Sequence, residues 1–320
     1  MQNKQDISTS FGFLLLPDFS MMSLSAIIEP LRMANKVSDL ELYTWHIFTW
    51  QDKLITANNG VSFAPQQSCD LLLEGENSVD YLILVAGNQV QRFYNPQLRD
   101  IIRRNYQRGV VLGATSTASF LLGYAQLLKA RRCTLHWEYV TAFKEEFPEA
   151  LLTPSLFEID ANIITCSGGL AGLDMILELI LRQHGNFLRN AIADQYLHSH
   201  VRGVDSEQRN TLMERYQVHN PALIKAITLM EKNIETPLSL LQVAQASHIS
   251  VRQLQRLFKQ HLKSSVQLFY RNLRLKKAST LLRESPLSIA SIALICGFSS
   301  SAYFSKCYRQ YSGMSPRKYR

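Results

Sequence analysis

The chain has 320 residues, 46% hydrophobic and 19% charged, a globular composition long enough for two domains and too apolar for a disordered polymer. Its first apolar run, residues 11–16, stops at Pro17; no later run approaches the roughly 20 residues that a spanning helix needs, so a soluble cytoplasmic protein without membrane contact is expected. The formal charge of +8 is unevenly placed: residues 219–320 hold 16 Lys and Arg against 3 Asp and Glu, a net +13, and the residues before them sum to −5. A polyanion partner is therefore expected at the C-terminal end. Five cysteines (Cys69, Cys133, Cys166, Cys296, Cys307) stand far apart with no CxxC pair, which suggests neither a disulfide framework nor a metal site, and no cofactor is expected.

In chain order, 11–16 reads as a buried strand, and 23–34 as a helix with Leu24, Ile27, Ile28 and Leu31 on one face. Residues 43–50 and 81–86 read as strands, 95–107 as a helix with Pro96 in its first turn, 110–114 as a strand, and 118–128 as an apolar helix. Residues 157–159 and 162–166 suggest a hairpin, after which Gly168 and Gly169 lead into a helix to about 181. Strands alternating with helices predict a mostly parallel sheet in an α/β domain over 10–190. Beyond Gly185 the strand signals end. Residues 191–220 are polar and read as a linker, and 221–320 as an all-α domain.

Within the all-α domain two segments share one design. Residues 238–247 form a first helix, 248–250 a turn and 251–261 a second helix; 288–296, 297–299 and 300–311 repeat the pattern. Each first helix has a small residue for a close crossing, Ala244 and Ala293, and each turn has an apolar plug, Ile249 and Phe298. Gly297 suits the left-handed backbone of such a turn, whereas His248 in the matching place is less comfortable. Ser250 and Ser300 are good cap types. Leu254, Leu257 and Phe258, and Phe304, Cys307 and Tyr308, mark the buried faces. The opposite faces carry Arg252, Gln255, Arg256 and Lys259, then Ser301, Tyr303, Lys306 and Arg309. Arg and Lys donate to guanine and Gln pairs with adenine, so such faces suit the major groove. Residues 266–282 form a connecting helix along which Arg271, Arg274, Lys276 and Lys277 lie.

Ser250 to Phe258 (SVRQLQRLF), together with Ile292-Ala293, Cys296 to Ser300 (CGFSS), Tyr303 to Lys306 (YFSK) and Gly313 to Arg320 (GMSPRKYR), resembles the AraC/XylS regulators over about residues 221–320. The resemblance implies two helix-turn-helix units docking in successive major-groove turns of duplex DNA. It places Ser250, Arg252, Gln255, Arg256, Ser300, Ser301, Ala302, Tyr303 and Lys306 at the DNA. Ser265-Val266 departs from the Ser-Pro often found in the first repeat and present at Ser315-Pro316, which bears on how the connecting helix starts.

The first domain is similar to the PfpI/class I glutamine-amidotransferase-like superfamily, with its flavodoxin-like parallel sheet. The carrying residues are Gly113 to Ser119 (GATSTAS), Thr134 to Glu138 (TLHWE), Glu29 to Asn35 (EPLRMAN), Phe147-Pro148 and Thr165 to Gly169 (TCSGG). Ser116 occupies the elbow position of the nucleophilic cysteine, and Ala118 replaces the glycine that relieves crowding after it. Serine needs a placed base and an oxyanion hole, so a binding pocket rather than a catalyst is expected. Cys166 is the rival nucleophile, with packing at a strand end as its plainer role. His136 and Trp137 join Ser116 as ligand-binding candidates: the helix start at Ser116 attracts a carboxylate and Trp137 covers an ammonium. A core residue is the alternative for Trp137, and a hydrogen-bonded structural histidine for His136. Glu29 to Asn35, Glu41 to His46 (ELYTWH) and Phe304 to Arg309 (FSKCYR) look most like the branch that senses glycine betaine and related choline or carnitine metabolites. The whole resemblance implies a regulator, above all an activator, that is modulated by a small effector, works with RNA polymerase and pairs as a homodimer through the α/β domain. An amidase tethered to DNA is the competing expectation.

Overall fold

The computed structural model describes residues 8–75, 79–203, 206–208, 212–285 and 287–320. The chain divides into two compact units, Met1–Gln208 and Arg209–Arg320. The first is built on strands β1 (Thr9–Leu15), β2 (Tyr43–Thr49), β3 (Tyr81–Val85), β4 (Val111–Thr115), β5 (Phe157–Asp160) and β6 (Ile163–Cys166). They form one sheet in the order β2-β1-β3-β4-β6-β5. All neighbours are parallel except β5 and β6, the expected hairpin. The central strands are continuous apolar runs because helices cover them: Phe13, Leu14, Leu82, Ile83 and Leu84 are all fully buried. Helices Met21–Ser38 and Ala171–Gln195 pack on each other, and Pro96–Gln107 packs on Ser119–Tyr124. Asn95 caps its helix by accepting from the Leu98 amide (2.9 Å).

The strand order turns around between β1 and β3. In open parallel sheets such a switch point opens a crevice beyond the C-terminal strand ends. Phe19 after β1, Gly87 and Asn88 after β3 and Ser116 after β4 lie at those ends. Phe19 and Gly87 form a bridge, and the Thr117 hydroxyl donates to the Gly87 carbonyl.

Two expectations change. The apolar helix after Ser116 is a 3₁₀ turn, Ser116–Ala118, followed by a helix that ends at Tyr124, not 128, where Gln126 turns left-handed (φ 62°). Much of the stretch 191–220 is structured. The helix that begins at Ala171 breaks at Gly185 (φ 84°), and a second helical segment runs on to Gln195. His198 and Arg202 then bond the fully buried Asp174, with Arg202 Nη2 at 2.6 Å. Gln208 Nε2 donates to Thr134 Oγ1 and to the Leu135 and Ser155 carbonyls.

The second unit is helical throughout its described residues. Pro221–Lys232 packs on Leu240–Ala246, and with Val251–Leu262 they share a core of Leu223, Ile227, Met230, Val243, Leu254 and Phe258. The connecting helix Val266–Glu284 leads to a second set, Ile289–Ile295, Ser301–Ser312 and Pro316–Tyr319. Here Phe298, Phe304, Tyr308 and Tyr319 stack in a chain of rings 5.2–5.6 Å apart. Burying Phe258 or Phe304 contributes about 1.5–3 kcal/mol each. The connecting helix starts normally despite Val266, because Ser265 Oγ accepts from the Leu268 amide (3.2 Å).

Candidate DNA interface and effector site

The two helix-turn-helix units are built by the same bonds. In the first, the Ile249 amide donates to the Ala244 carbonyl (3.1 Å); in the second, the Phe298 amide donates to the Ala293 carbonyl (2.8 Å). The left-handed residue is His248 (φ 57°) in one and Gly297 (φ 71°) in the other. Gly297 has no room for a side chain: a Cβ would lie 2.4 Å from the Ile234 carbonyl oxygen and 2.6 Å from Pro237 Cγ. Ser250 caps the first reading helix in a reciprocal box with Gln253 (3.2 and 2.9 Å), and Ser300 Oγ accepts from the Tyr303 amide (3.2 Å).

Leu254, Leu257 and Phe258, and Phe304, Cys307 and Tyr308, are buried as the spacing requires. Arg252, Gln255, Arg256 and Lys259 are exposed on the first reading helix; Ser301, Ala302, Tyr303, Lys306 and Arg309 are exposed on the second. Each helix thus offers one polar face, and Tyr303 leans toward Phe298 with ring centres 6.1 Å apart. Of the four basic residues named on the connecting helix, Arg274 reaches the turn of the second unit. It donates to the Cys296 and Gly297 carbonyls (2.8 and 2.6 Å).

In the first unit, Ser116 has φ 56°, the strained backbone of a strand-to-helix elbow. Gly168 forms its floor, since a Cβ there would sit 2.8 Å from Ser116 Cβ. The Gly169 amide donates to Ser23 Oγ (2.9 Å), which pins the same loop to the start of helix Met21–Ser38. Ser119 Oγ donates to the Thr134 carbonyl (2.8 Å), and the Thr134 amide donates to Thr165 Oγ1 (2.9 Å). These bonds tie the elbow helix to the segment that ends at His136. His136 and Trp137 are half-buried, with rings 5.3 Å apart. His136 Nδ1 accepts from the Glu138 amide (3.4 Å), which leaves Nε2 as the donor of the neutral ring. Burial pulls the His136 pKa down against the pull of the Glu138 carboxylate, so the ring is neutral at pH 7. Tyr139, packed edge-on to His136, donates to Asn88 Oδ1 (2.6 Å). Asn88 and Tyr139 carry no motif in the sequence; only the sheet order brings them to this end.

Cys166 is fully buried, and burial pushes its thiol up to about 11 although the Gly168 and Ser116 amides point at it. A thiol held protonated is a poor nucleophile. Its packing role at the strand end is the one its surroundings fit.

Comparison with known proteins agrees with both halves. Residues 13–182 match the DJ-1/PfpI family and residues 243–320 match a helix-turn-helix domain. The HTH-type transcriptional regulator CdhR of Pseudomonas aeruginosa is 40% identical over 310 residues, which cover 97% of this chain and 91% of the relative. The HTH-type transcriptional regulator GbdR of the same species is 38% identical over 308 residues, covering 96% and 83%. The crystal structure of an AraC family transcriptional regulator from Pseudomonas putida superposes on 59% of this chain and 99% of its own with a TM-score of 0.53 at 22% identity, a likeness of fold. With a DJ-1/PfpI-type parallel-sheet unit ahead of two helix-turn-helix units, and with regulators aligned along nearly its whole length, the chain belongs to the AraC-type DNA-binding transcription regulators with a DJ-1/PfpI-like domain.

Proposed function

We propose that a small zwitterionic metabolite of the glycine betaine or carnitine kind binds the first unit and changes how the second meets its operator, most often to activate transcription. The carrying observation is the repeated turn. The same amide-to-carbonyl bond and the same serine cap recur in two units of a segment with net charge +13, and each reading helix keeps a polar face exposed. Arg252, Gln255 and Arg256, then Ser301, Ala302, Tyr303 and Lys306, are the base-edge candidates, and Ser250 and Ser300 start the helices that carry them. Ser116, His136 and Trp137 form the effector site. The His136 Nε2 proton suits a carboxylate, and the Trp137 face suits a quaternary ammonium. Pairing of two copies through the first unit, contact with RNA polymerase and a cytoplasmic location complete the reading.

For the metabolite to switch anything, it must bind the DNA-competent arrangement more tightly than the other. A thermal-shift series with glycine betaine, carnitine, choline and amino acids tests the site. A true effector raises the melting temperature of the wild type and fails to raise that of Trp137→Ala. No shift with any of them would sink the effector assignment.

The left-handed Ser116 favours one competing reading, a serine amidase, because that backbone is what an exposed nucleophile needs. Ser116→Ala separates the two. The regulator reading expects amide hydrolysis at background in both proteins and a promoter response that survives or changes only in effector concentration. Hydrolysis by the wild type that Ser116→Ala abolishes would favour the enzyme.

A further inference from the structure

Arg274 lies on the connecting helix and turns toward the second helix-turn-helix unit. Its Nε donates to the Cys296 carbonyl (2.8 Å) and its Nη2 to the Gly297 carbonyl (2.6 Å). Its guanidinium lies 4.1 Å from the centre of the Phe298 ring. Cys296 caps the end of helix Ile289–Ile295, so its carbonyl is among the acceptors that have no partner within the helix, and Gly297 is the turn residue just beyond it. One planar group thus satisfies both carbonyls and covers the apolar plug of the same turn. Phe298 in turn packs against Phe304 of the reading helix (5.2 Å).

Among the described residues the first unit shows no counterpart. Helices Pro221–Lys232 and Val266–Glu284 end 52 residues apart and bury matching positions, Leu223 and Leu275, Ala226 and Ala278, Met230 and Leu282. That register sets Ala222, whose methyl donates nothing, at the place of Arg274. Beside the clamp, a cleft of about 320 Å³, lined by Ser265, Leu268, Arg271 and Tyr303 among others, separates the starts of the connecting helix and the second reading helix. Farther along, Ser279 Oγ and the Tyr308 hydroxyl join the same two helices (3.0 Å); at the end nearest the turn, where the cleft opens, the bonds of Arg274 make the connection.

We propose that Arg274 is a positioning residue for operator reading: by clamping the turn of the second unit to the connecting helix, it fixes where Ser301–Ser312 is presented relative to the first reading helix. Base recognition needs side chains placed within fractions of an ångström, whereas phosphate contacts tolerate movement. Loosening the clamp therefore removes sequence preference from one half of the operator and leaves the other half intact.

The test uses the full-length chain and a pool of random duplexes of about 40 base pairs. The best binder of the wild type is selected, and affinities are measured for versions with single base changes in each half. Arg256→Ala identifies the half read by the first unit. Arg274→Lys keeps the charge but offers a point donor that can neither fork to two carbonyls nor stack as a plane. Arg274→Lys is expected to melt near the wild type and keep its salt dependence. Tenfold discrimination in the second half should fall to threefold or less, with the first half unchanged. Phe298→Leu, which removes the stacked ring and leaves the two hydrogen bonds, should show a smaller loss on the same side, and it decides the matter if Arg274→Lys does not fold. Wild-type discrimination in both halves, or equal loss in both, would overturn the clamp. The inference rests on the two-unit reading of DNA; a wild-type chain that enriches no duplex would overturn that reading itself.

Discussion

Replacing Gly297 by alanine tests the turn of the second unit against the matching turn of the first. At φ 71° a Cβ costs an L-residue about 1–2 kcal/mol, and a stiffer unfolded chain returns about 0.4–1 kcal/mol of that. The Cβ would also meet the Ile234 carbonyl oxygen at 2.4 Å and Pro237 Cγ at 2.6 Å. Neither a backbone carbonyl nor a proline ring can swing away, so the backbone must shift, at about 1–3 kcal/mol for an overpacked site. The sum is a loss of about 1–4.6 kcal/mol, centred near 3 kcal/mol. His248→Gly makes the opposite change at φ 57°: strain relief and unfolded-state entropy nearly cancel, leaving about 0.5 kcal/mol or less of either sign. The assay is urea unfolding of the full chain. Trp45, Trp50 and Trp137 all lie in the first unit, so their emission follows that unit, while far-ultraviolet circular dichroism also follows the second. For a slope of about 1.5 kcal/mol per M, Gly297→Ala lowers the second unit's midpoint by roughly 2 M and leaves the tryptophan transition in place. An unchanged midpoint, or an equal loss in His248→Gly, would refute the assigned turn geometry.

Three further outcomes are expected. Arg256→Ala should weaken binding to the selected operator by about 1–3 kcal/mol while barely altering binding to unrelated duplex, as read by gel shift; equal weakening on both would assign Arg256 to phosphate instead. Asp174→Ala leaves Arg202 and His198 without their buried carboxylate. Because Arg202 keeps about a third of its side chain exposed, the loss should be about 2–3 kcal/mol, below the value for a fully buried pair, and should appear in the tryptophan transition. His136 has its folded pKa lowered by burial, so between that value and the ordinary 6.5 the unfolded chain binds a proton that the folded chain refuses. Stability is fully present above pH 6.5 and falls as the pH drops below it. The wild type should lose more stability than His136→Gln between pH 7.5 and 5.5, and an identical loss in both would contradict the buried neutral ring.

The sequence made the sheet strands and the paired helix-turn-helix units readable for a physical reason. Phe11 to Leu16 and Tyr81 to Ala86 are apolar on both faces, and the second unit repeats its plug and cap at one spacing. Contacts between residues distant in sequence were not readable. His198 and Arg202 lie 24 and 28 residues from Asp174, and their stretch is polar because its polar groups bond one another, which imitates a solvated linker. Arg274 reads as one of four basic residues along a helix, and only the position of the second turn shows that it bonds carbonyls. The meeting of Asn88 with Tyr139 beyond the strand ends follows from strand order, which periodicity does not encode. Periodicity overestimates the helix after Ser116 because Leu127 and Leu128 continue the apolar run beyond the left-handed Gln126.

Hydroxyl-radical footprinting of the full chain on its selected duplex addresses the two reading helices most directly. Two protected patches on one face, centred about 34 Å or one helical turn apart, are expected, with the first fading in Arg256→Ala and the second in Lys306→Ala. One continuous patch that slides with the duplex ends, or a single patch lost in both variants together, would contradict two helices reading neighbouring major grooves.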